Sequence, residues 1–346
     1  MAIYHFSASV MSRGKGHCSV AAAAYRASEK LYDERLDQTH DFTRKSDVVH
    51  SEILLPDGGP EWMQDREKLW NAVEKKERRK DAQLAREITI SLPKELTREQ
   101  NWALAKAFVQ QEFVDRGMVA DMNFHRGHKG REEQPHVHIM LSMRAVNAKG
   151  FGQKNRAWNK TQLLESWREN WALACNRELV RQGHDMKIDH RTLEAQGIDL
   201  EPQSKIGPAI SSEAMARFAE HQALAKRNGE RLLADPTIGL YALTQQQSTF
   251  THQDMARLVN RQSVDSAQFQ AVYQAMTAHP ELVKLGVDDQ GRDRYTTQTM
   301  LTLERELARL ADKQGDLAQH RASSVAVHQA MATRTLSDEQ QQALRH

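Results

Sequence analysis

The stretch "QPHVHIML", Gln134 to Leu141, places two histidines one residue apart between a proline and an apolar run. In a strand, side chains alternate faces with a period of two. His136 and His138 therefore share one face, and Val137, Ile139 and Leu141 share the other. One face is built for burial and the other offers two imidazoles. A third comes from the preceding strand, which ends in "MNFHRGH". If the two strands pair as a hairpin, His125 faces the pair across the sheet. Three neutral imidazoles make an open metal site, with positions left for water or phosphate oxygens. The bland alternative is three ordinary histidines on a solvated sheet face. His128, in the loop between the strands, competes for the third position.

A metal site alone names no reaction. The candidate nucleophile is Tyr25, in "AAAAYRAS". Four small residues before it let a helix approach the sheet closely. A phenol that attacks a phosphodiester leaves a phosphotyrosine ester, which conserves the energy of the bond it breaks. The alternative is a core tyrosine that fills a gap between helix and sheet. Glu87, in "AREITI", can accept a histidine N–H and so orient a ligand, or it can form a surface salt bridge. Arg13, Lys15 and Arg26 flank the tyrosine and can hold phosphates. Lys149, Lys154 and Arg156 lie in "NAKGFGQKNRAW" with Phe151 and Trp158 between them. Basic residues interleaved with aromatics suit single-stranded DNA, whose bases stack and whose phosphates pair.

The elements that must position these residues follow from the pattern. "AIYHFSASV" alternates as a strand, and "SVAAAAYRASEKLYDER" reads as a helix with Ser19 as its N-cap. "VVHSEILLP" and "AREITISLP" are strands, and the latter ends at Pro93. "TREQNWALAKAFVQQEFVDRG" is an amphipathic helix stopped by Gly117, and "NKTQLLESWRENWALACNRELVRQG" is a long helix. The predicted class is α+β: a five-stranded, mostly antiparallel sheet with helices packed on one side and the other face open to a ligand. A boundary is expected near Gly207–Pro208. Residues 209–234 read as a helical linker. Residues 235–346 read as a mainly helical, winged-helix-like module with a small hairpin at "LVKLGVDDQGRDRYTTQ" and a final long helix.

Composition sets the outer limits. The chain has 346 residues, 39% of them hydrophobic, which suffices for two or three cores. A net charge of +2 does not by itself mark a nucleic-acid binder, so local clusters carry that argument. Two cysteines, Cys18 and Cys175, make a disulfide framework unexpected and point to a reducing cytoplasm. No signal peptide is evident. No apolar run approaches the roughly 20 residues of a membrane span.

Taken together, "AIYHFSA", "AAAAYRASEK", "SEILLP", "AREITISLP" and the "FH…PHVHIML" histidines resemble the MobA/MobL relaxases, plasmid mobilisation nucleases of the HUH class. The resemblance covers about residues 1–208. It implies that Tyr25 attacks the phosphate at the nic site of an origin of transfer. It also implies that His125, His136 and His138 hold a divalent ion, Mg2+ or Mn2+. Many HUH proteins carry paired tyrosines. Here Tyr32 lies seven residues on, is placed two helical turns past Tyr25, and is read as a packing residue, so one tyrosine does the chemistry. The later segments "TFTHQDMARLV", "LGVDDQGRDRYTTQTMLTLE" and "LSDEQQQALRH" resemble the opening of the helicase region in relaxase–helicase fusions of the Ti-type TraA kind. No G-x-x-x-x-G-K-[ST] phosphate loop occurs in the chain, so no ATPase activity is expected of it. The implied partners are single-stranded origin-of-transfer DNA, accessory relaxosome proteins and the coupling protein of a type IV secretion system. A bacterial cytoplasmic location, with transfer alongside the DNA strand, is implied too. Two other readings compete: a rolling-circle replication initiator, and a DNA-binding protein without catalysis.

Overall fold

The computed structural model describes residues 4–127, 134–203 and 212–315, together with Val325. The first part runs β1 (Phe6–Ser12), α1 (Ser19–Ala27), β2 (Lys30–Asp33), β3 (Gln38–Asp41), β4 (Val48–Leu54), α2 (Arg66–Lys76), β5 (Gln83–Ser91), α3 (Arg98–Val109), β6 (Ala120–His125), β7 (His136–Ser142), β8 (Arg144–Asn147), β9 (Gly150–Lys154) and α4 (Thr161–Arg181). Five strands form one sheet in the order β1-β5-β7-β6-β4. Every neighbouring pair in it is antiparallel. The α+β class expected from the sequence holds.

Period two divides the sheet. Ile88, Ile90, Met122, Phe124, Val137, Ile139 and Leu141 form one face, buried under α3 and α4 through Phe108, Trp167 and Trp171. The opposite face is not left bare, as the sequence had suggested. Its Ala85 and Met140 are buried under Val20, Ala23 and Ala24 of α1 and Leu69, Trp70 and Val73 of α2. Helices therefore cover both faces. Along β7 this second face runs from apolar at Met140 to polar at His138 and His136.

A buried polar network clamps α2 to the sheet. Arg66 makes a two-pronged contact with Asp121 of β6, both bonds at 2.9 Å. Trp70 Nε1 donates to the same carboxylate at 2.8 Å, and Asn123 Nδ2 at 3.1 Å. The planar guanidinium matches a carboxylate in this way.

α1 is shorter than its sequence suggested. It ends at Ala27, because Ser28 takes the left-handed conformation (φ 57°) and donates its N–H to Ala24 O. The chain then folds into the β2–β3 hairpin rather than two more turns of helix. Tyr32 is accordingly on a strand. It is exposed, and its hydroxyl donates to Asp37 at 2.6 Å, which replaces the packing role expected of it. The N-cap is Cys18, whose Sγ accepts from Ala21 N. Ser19 is buried inside the helix, and its N–H and hydroxyl both donate to Glu74 Oε1. A carboxylate at a helix N-terminus is favoured by the unpaired N–H groups there.

The second part comprises α5 (Ser212–Ala234), α6 (Thr237–Gln246), α7 (His252–Arg261), α8 (Ser266–Thr277), β10 (Leu282–Val287), β11 (Asp293–Thr297) and α9 (Gln298–Gly315). Phe250 bridges Tyr295 of β11, so the order is helix, bridge, two helices and hairpin, as in a winged helix. Its core includes Leu232, Leu243, Phe250, Val272 and Met276, and reaches back to Ile198 and Leu200. Asn228 of α5 is buried and bonds Glu201 and Gln262, so this helix packs rather than merely links. Gly207 and Pro208 lie outside the described residues. Among the described residues no helix is long and apolar enough to cross a membrane.

The Asp121 network yields a test of what holds the first unit together. All six tryptophans lie at or before Trp171, so their fluorescence reports that unit alone. Asp121→Ala leaves the buried Arg66 without its main partner and should lower unfolding free energy by about 3–5 kcal/mol. Adding Arg66→Met should recover most of it. An unchanged fluorescence midpoint in Asp121→Ala would remove the network from this role.

Candidate metal centre and nucleophile

The hairpin register brings the three histidines together. His125 pairs directly with His136, and Asn123 with His138. The ring centroids are 5.4 Å apart for His125–His136, 4.8 Å for His125–His138 and 5.1 Å for His136–His138. One ring nitrogen from each lies within 4.8 Å of the others. His128 lies outside the described residues.

Hydrogen bonds set the tautomers. His136 Nδ1 is 2.9 Å from Gln134 O, and His138 Nδ1 is 3.2 Å from Glu87 Oε1 and 3.2 Å from Thr89 Oγ1. A carbonyl or carboxylate only accepts, so both Nδ1 atoms carry the proton and the lone pair falls on Nε2. Burial alone would raise the Glu87 carboxyl. The His138 hydrogen bond and the Arg26 guanidinium instead hold it down to about 2, so it is ionised.

His125 is different. Its Nδ1 is 3.1 Å from Asp47 Oδ2 and its Nε2 is 2.8 Å from Arg26 O. Both partners are acceptors. Burial, and then the nearby His138, push its pKa down to about 4. The neutral ring has one proton and can serve only one of the two. With that proton toward Asp47, the Nε2 lone pair faces a carbonyl oxygen. A cation among the three rings relieves that repulsion, and the donor set and the orienting partners on the outer nitrogens fit one.

Arg26 joins this cluster to α1. Its carbonyl meets His125, and its Nε donates to Glu87 Oε1 at 2.6 Å. The neighbouring Tyr25 is half exposed, at 50%. Its ring stands edge-on to Phe42 at 5.2 Å, with Lys45 Nζ 3.7 Å above the ring centroid. Lys45 also donates to Tyr25 O at 3.0 Å. Phe42, Lys45 and Asp47 had no place in the sequence reading. The signal was the mixed charge of "DFTRKSD" just before a strand that must pair beside His125.

The basic residues divide. Arg26 is tied to the histidine cluster through Glu87. Arg13 is turned inward to Glu74 Oε2 at 2.6 Å and to the carbonyls of Glu74, Glu77 and Arg79, where it caps the end of α2. Lys154 Nζ donates to Glu77 Oε2 and Gln83 O. These three cations are each paired within the protein. Lys15, Lys149 and Arg156 are exposed. The segment holding Lys149 and Lys154 is a hairpin, not a loop. Trp158 is buried in the core and Phe151 packs against the second core, so neither offers a stacking face.

The fold is thus an antiparallel α+β sheet carrying a three-histidine cluster beside a helix tyrosine. Residues 17–217 match the MobA/MobL family, and the chain belongs to that family. It is 36% identical to the "Conjugal transfer protein TraA" of Agrobacterium fabrum (strain C58 / ATCC 33970), over 99% of this chain and 36% of that protein. It is 38% identical to the "Mobilization protein MobL" of Acidithiobacillus ferridurans, over 61% of this chain and 63% of that protein. A solved structure described as "Molecular Basis of Vancomycin Resistance Transfer in Staphylococcus aureus" shares the fold at TM-score 0.51 and 32% identity, over 55% of this chain and 100% of that chain. The chain spans 36% of the length of the TraA relatives.

If Glu87 orients His138, Glu87→Ala should weaken divalent-ion binding by about 10–100-fold, because outer partners of ligating histidines have effects of that size. Titration calorimetry with Mn2+ on the whole chain measures it. Unchanged affinity would reduce Glu87 to a structural ion pair.

Proposed function

We propose that this chain is the nicking and rejoining part of a conjugative relaxase, acting on single-stranded DNA at an origin of transfer. The observation that carries the reading is Arg26, which ties the Tyr25 turn of α1 to both His125 and Glu87. That tie supports a reading in which the Tyr25 phenol works beside a divalent ion held by the three histidines. Family membership and the mobilisation relatives support it.

In this reading Tyr25 Oη attacks the scissile phosphorus. The P–O3′ bond breaks, a tyrosyl 5′-phosphodiester forms, and the phenol proton passes through water to the departing 3′ oxygen. The ester retains the bond energy, so a 3′-hydroxyl can attack it later and restore the strand. His125, His136 and His138 would hold a divalent ion, which when bound supplies Lewis-acid stabilisation of charge on the phosphate oxygens. Imidazoles suit a first-row ion better than Mg2+, which prefers oxygen ligands; Mn2+ remains compatible when water and phosphate complete its shell. Glu87 keeps His138 in one tautomer and Asp47 orients His125. Lys45, over the tyrosine ring, would exchange its 3.7 Å pairing with Asp47 for a phosphate. Exposed Lys15, Lys149 and Arg156 contribute the salt-sensitive backbone contacts.

The second unit is read as the start of the helicase region of a longer protein, adding DNA or partner contacts and no ATP hydrolysis. Accessory relaxosome proteins, a type IV coupling protein, a cytoplasmic location and transfer with the strand belong to the same proposal.

The test is an adduct assay on labelled single-stranded origin DNA with Mn2+. Tyr25→Phe should form no denaturant-resistant adduct yet bind the DNA nearly as well, since only a hydroxyl is lost. Tyr32→Phe should form the adduct normally. An active Tyr25→Phe with a dead Tyr32→Phe reverses the assignment, and no adduct from the wild-type chain on any origin sequence argues for a DNA-binding protein without catalysis.

A further inference from the structure

A second cluster of ligating side chains lies at the other end of α1. Cys18, Asp33 and His40 each place one ligand atom within 4.8 Å of the other two. They come from the N-cap of α1, from β2 and from β3. In the β2–β3 register Leu31 pairs with His40 and Asp33 with Gln38. These residues therefore share the hairpin face on which Leu31 enters the core.

The carboxylate is aimed. Asp33 is fully buried, and its Oδ1 accepts the N–H groups of Arg35 and Leu36 at 2.9 and 3.0 Å. Its Oδ2 faces Cys18 Sγ at 2.8 Å and His40 Nε2 at 3.8 Å. His40 Nε2 is buried without a hydrogen-bond partner. A thiol–carboxylate hydrogen bond accounts for Cys18 and Asp33 but leaves that imidazole nitrogen unsatisfied, which is costly in a folded protein.

We propose that Cys18, Asp33 and His40 form a structural Zn2+ site. Tetrahedral bonds of about 2.0–2.3 Å put ligand atoms roughly 3.3–3.8 Å apart; the 3.8 Å between His40 and Asp33 matches, and Cys18 Sγ would draw back from its 2.8 Å hydrogen bond to Asp33 on binding the ion. A mixed sulfur, nitrogen and oxygen set selects a borderline-soft ion. The half-buried Cys18 leaves a fourth position for water. Binding releases the thiol proton, so the bond formed is zinc to thiolate. The N–H of Ala21, which already points at Sγ, suits the thiolate. The ion would staple the β2–β3 hairpin to the first turn of the helix that carries Tyr25. This holds whether or not the chain nicks DNA.

Cobalt distinguishes this site from the three histidines, which contain no sulfur. The full chain loaded with Co2+ should show a thiolate-to-cobalt absorption band in the near ultraviolet, and Zn2+ should displace it. Cys18→Ser should abolish the band. Cys175→Ser and the pair His136→Ala, His138→Ala should keep it. In the His136→Ala, His138→Ala background, which removes the other ion site, His40→Ala should weaken Zn2+ binding by more than roughly 100-fold, since even outer partners of ligands change affinity by about 10–100-fold. It should also lose the rise in unfolding midpoint that Zn2+ gives the wild type. If Cys18→Ser does not fold, His40→Ala and Asp33→Asn with native circular dichroism decide the matter. The absence of a sulfur band in the wild type, its survival in Cys18→Ser, or unaltered Zn2+ affinity on adding His40→Ala to that background would overturn the site.

Discussion

The close seat of α1 on the sheet is the constraint from which the rest of the site follows. Ala23 and Ala24 are fully buried against it, and no larger side chain could occupy those positions without lifting the helix. Nine residues make a helix of about 13 Å, and both ends are held. At the N-terminus, Glu74 takes the N–H and hydroxyl of Ser19 while Arg13 and Arg35 neutralise it. At the C-terminus, Arg26 holds Glu87 with its guanidinium and meets His125 with its carbonyl. A helix so short has little stability of its own. These anchors therefore determine where Tyr25 stands.

The same anchors settle the electrostatics. Glu87 is one carboxylate serving two masters, Arg26 on the helix and His138 on the sheet. Because it stays ionised, it keeps the His138 proton on Nδ1 and the lone pair on the opposite nitrogen. His125, stripped of its charge by burial, does the same toward Asp47. Each of the three rings thus has an acceptor behind one nitrogen, the arrangement that orients a metal ligand. Charge on any of the three rings would repel both its neighbours and an incoming cation.

Much of this was legible in the sequence, and what was not has physical causes. The H-x-H strand could be read because a period of two leaves no alternative face for its apolar partners. The antiparallel hairpin then brought His125 along. The β2–β3 hairpin was missed because five of the seven residues of "EKLYDER" are good helix formers; only the left-handed Ser28 and the inward turn of Leu31 and Asp33 betray it. The inward turn of Arg13 and Lys154 depends on Glu74 and Glu77, more than sixty residues away in each case. Local composition cannot show that a cation is already paired. Trp158 failed as a stacking platform for a related reason: beside a basic run it resembles a binding aromatic, yet it is needed to close the core under α4.

The residues missed by that reading are the ones that enclose the tyrosine. The chain between α1 and β4 wraps the helix instead of prolonging it. Leu31 enters the second core, Phe42 meets the Tyr25 ring, Lys45 lies over it, and Asp47 reaches His125. Tyr25 therefore stands between a rigid sheet and a short hairpin that a two-stranded ribbon alone would not stabilise. Whatever secures that hairpin also orients the phenol. Tyr25 nevertheless stays half exposed inside this enclosure, with Lys45 over its ring and paired to the same Asp47 that reaches His125.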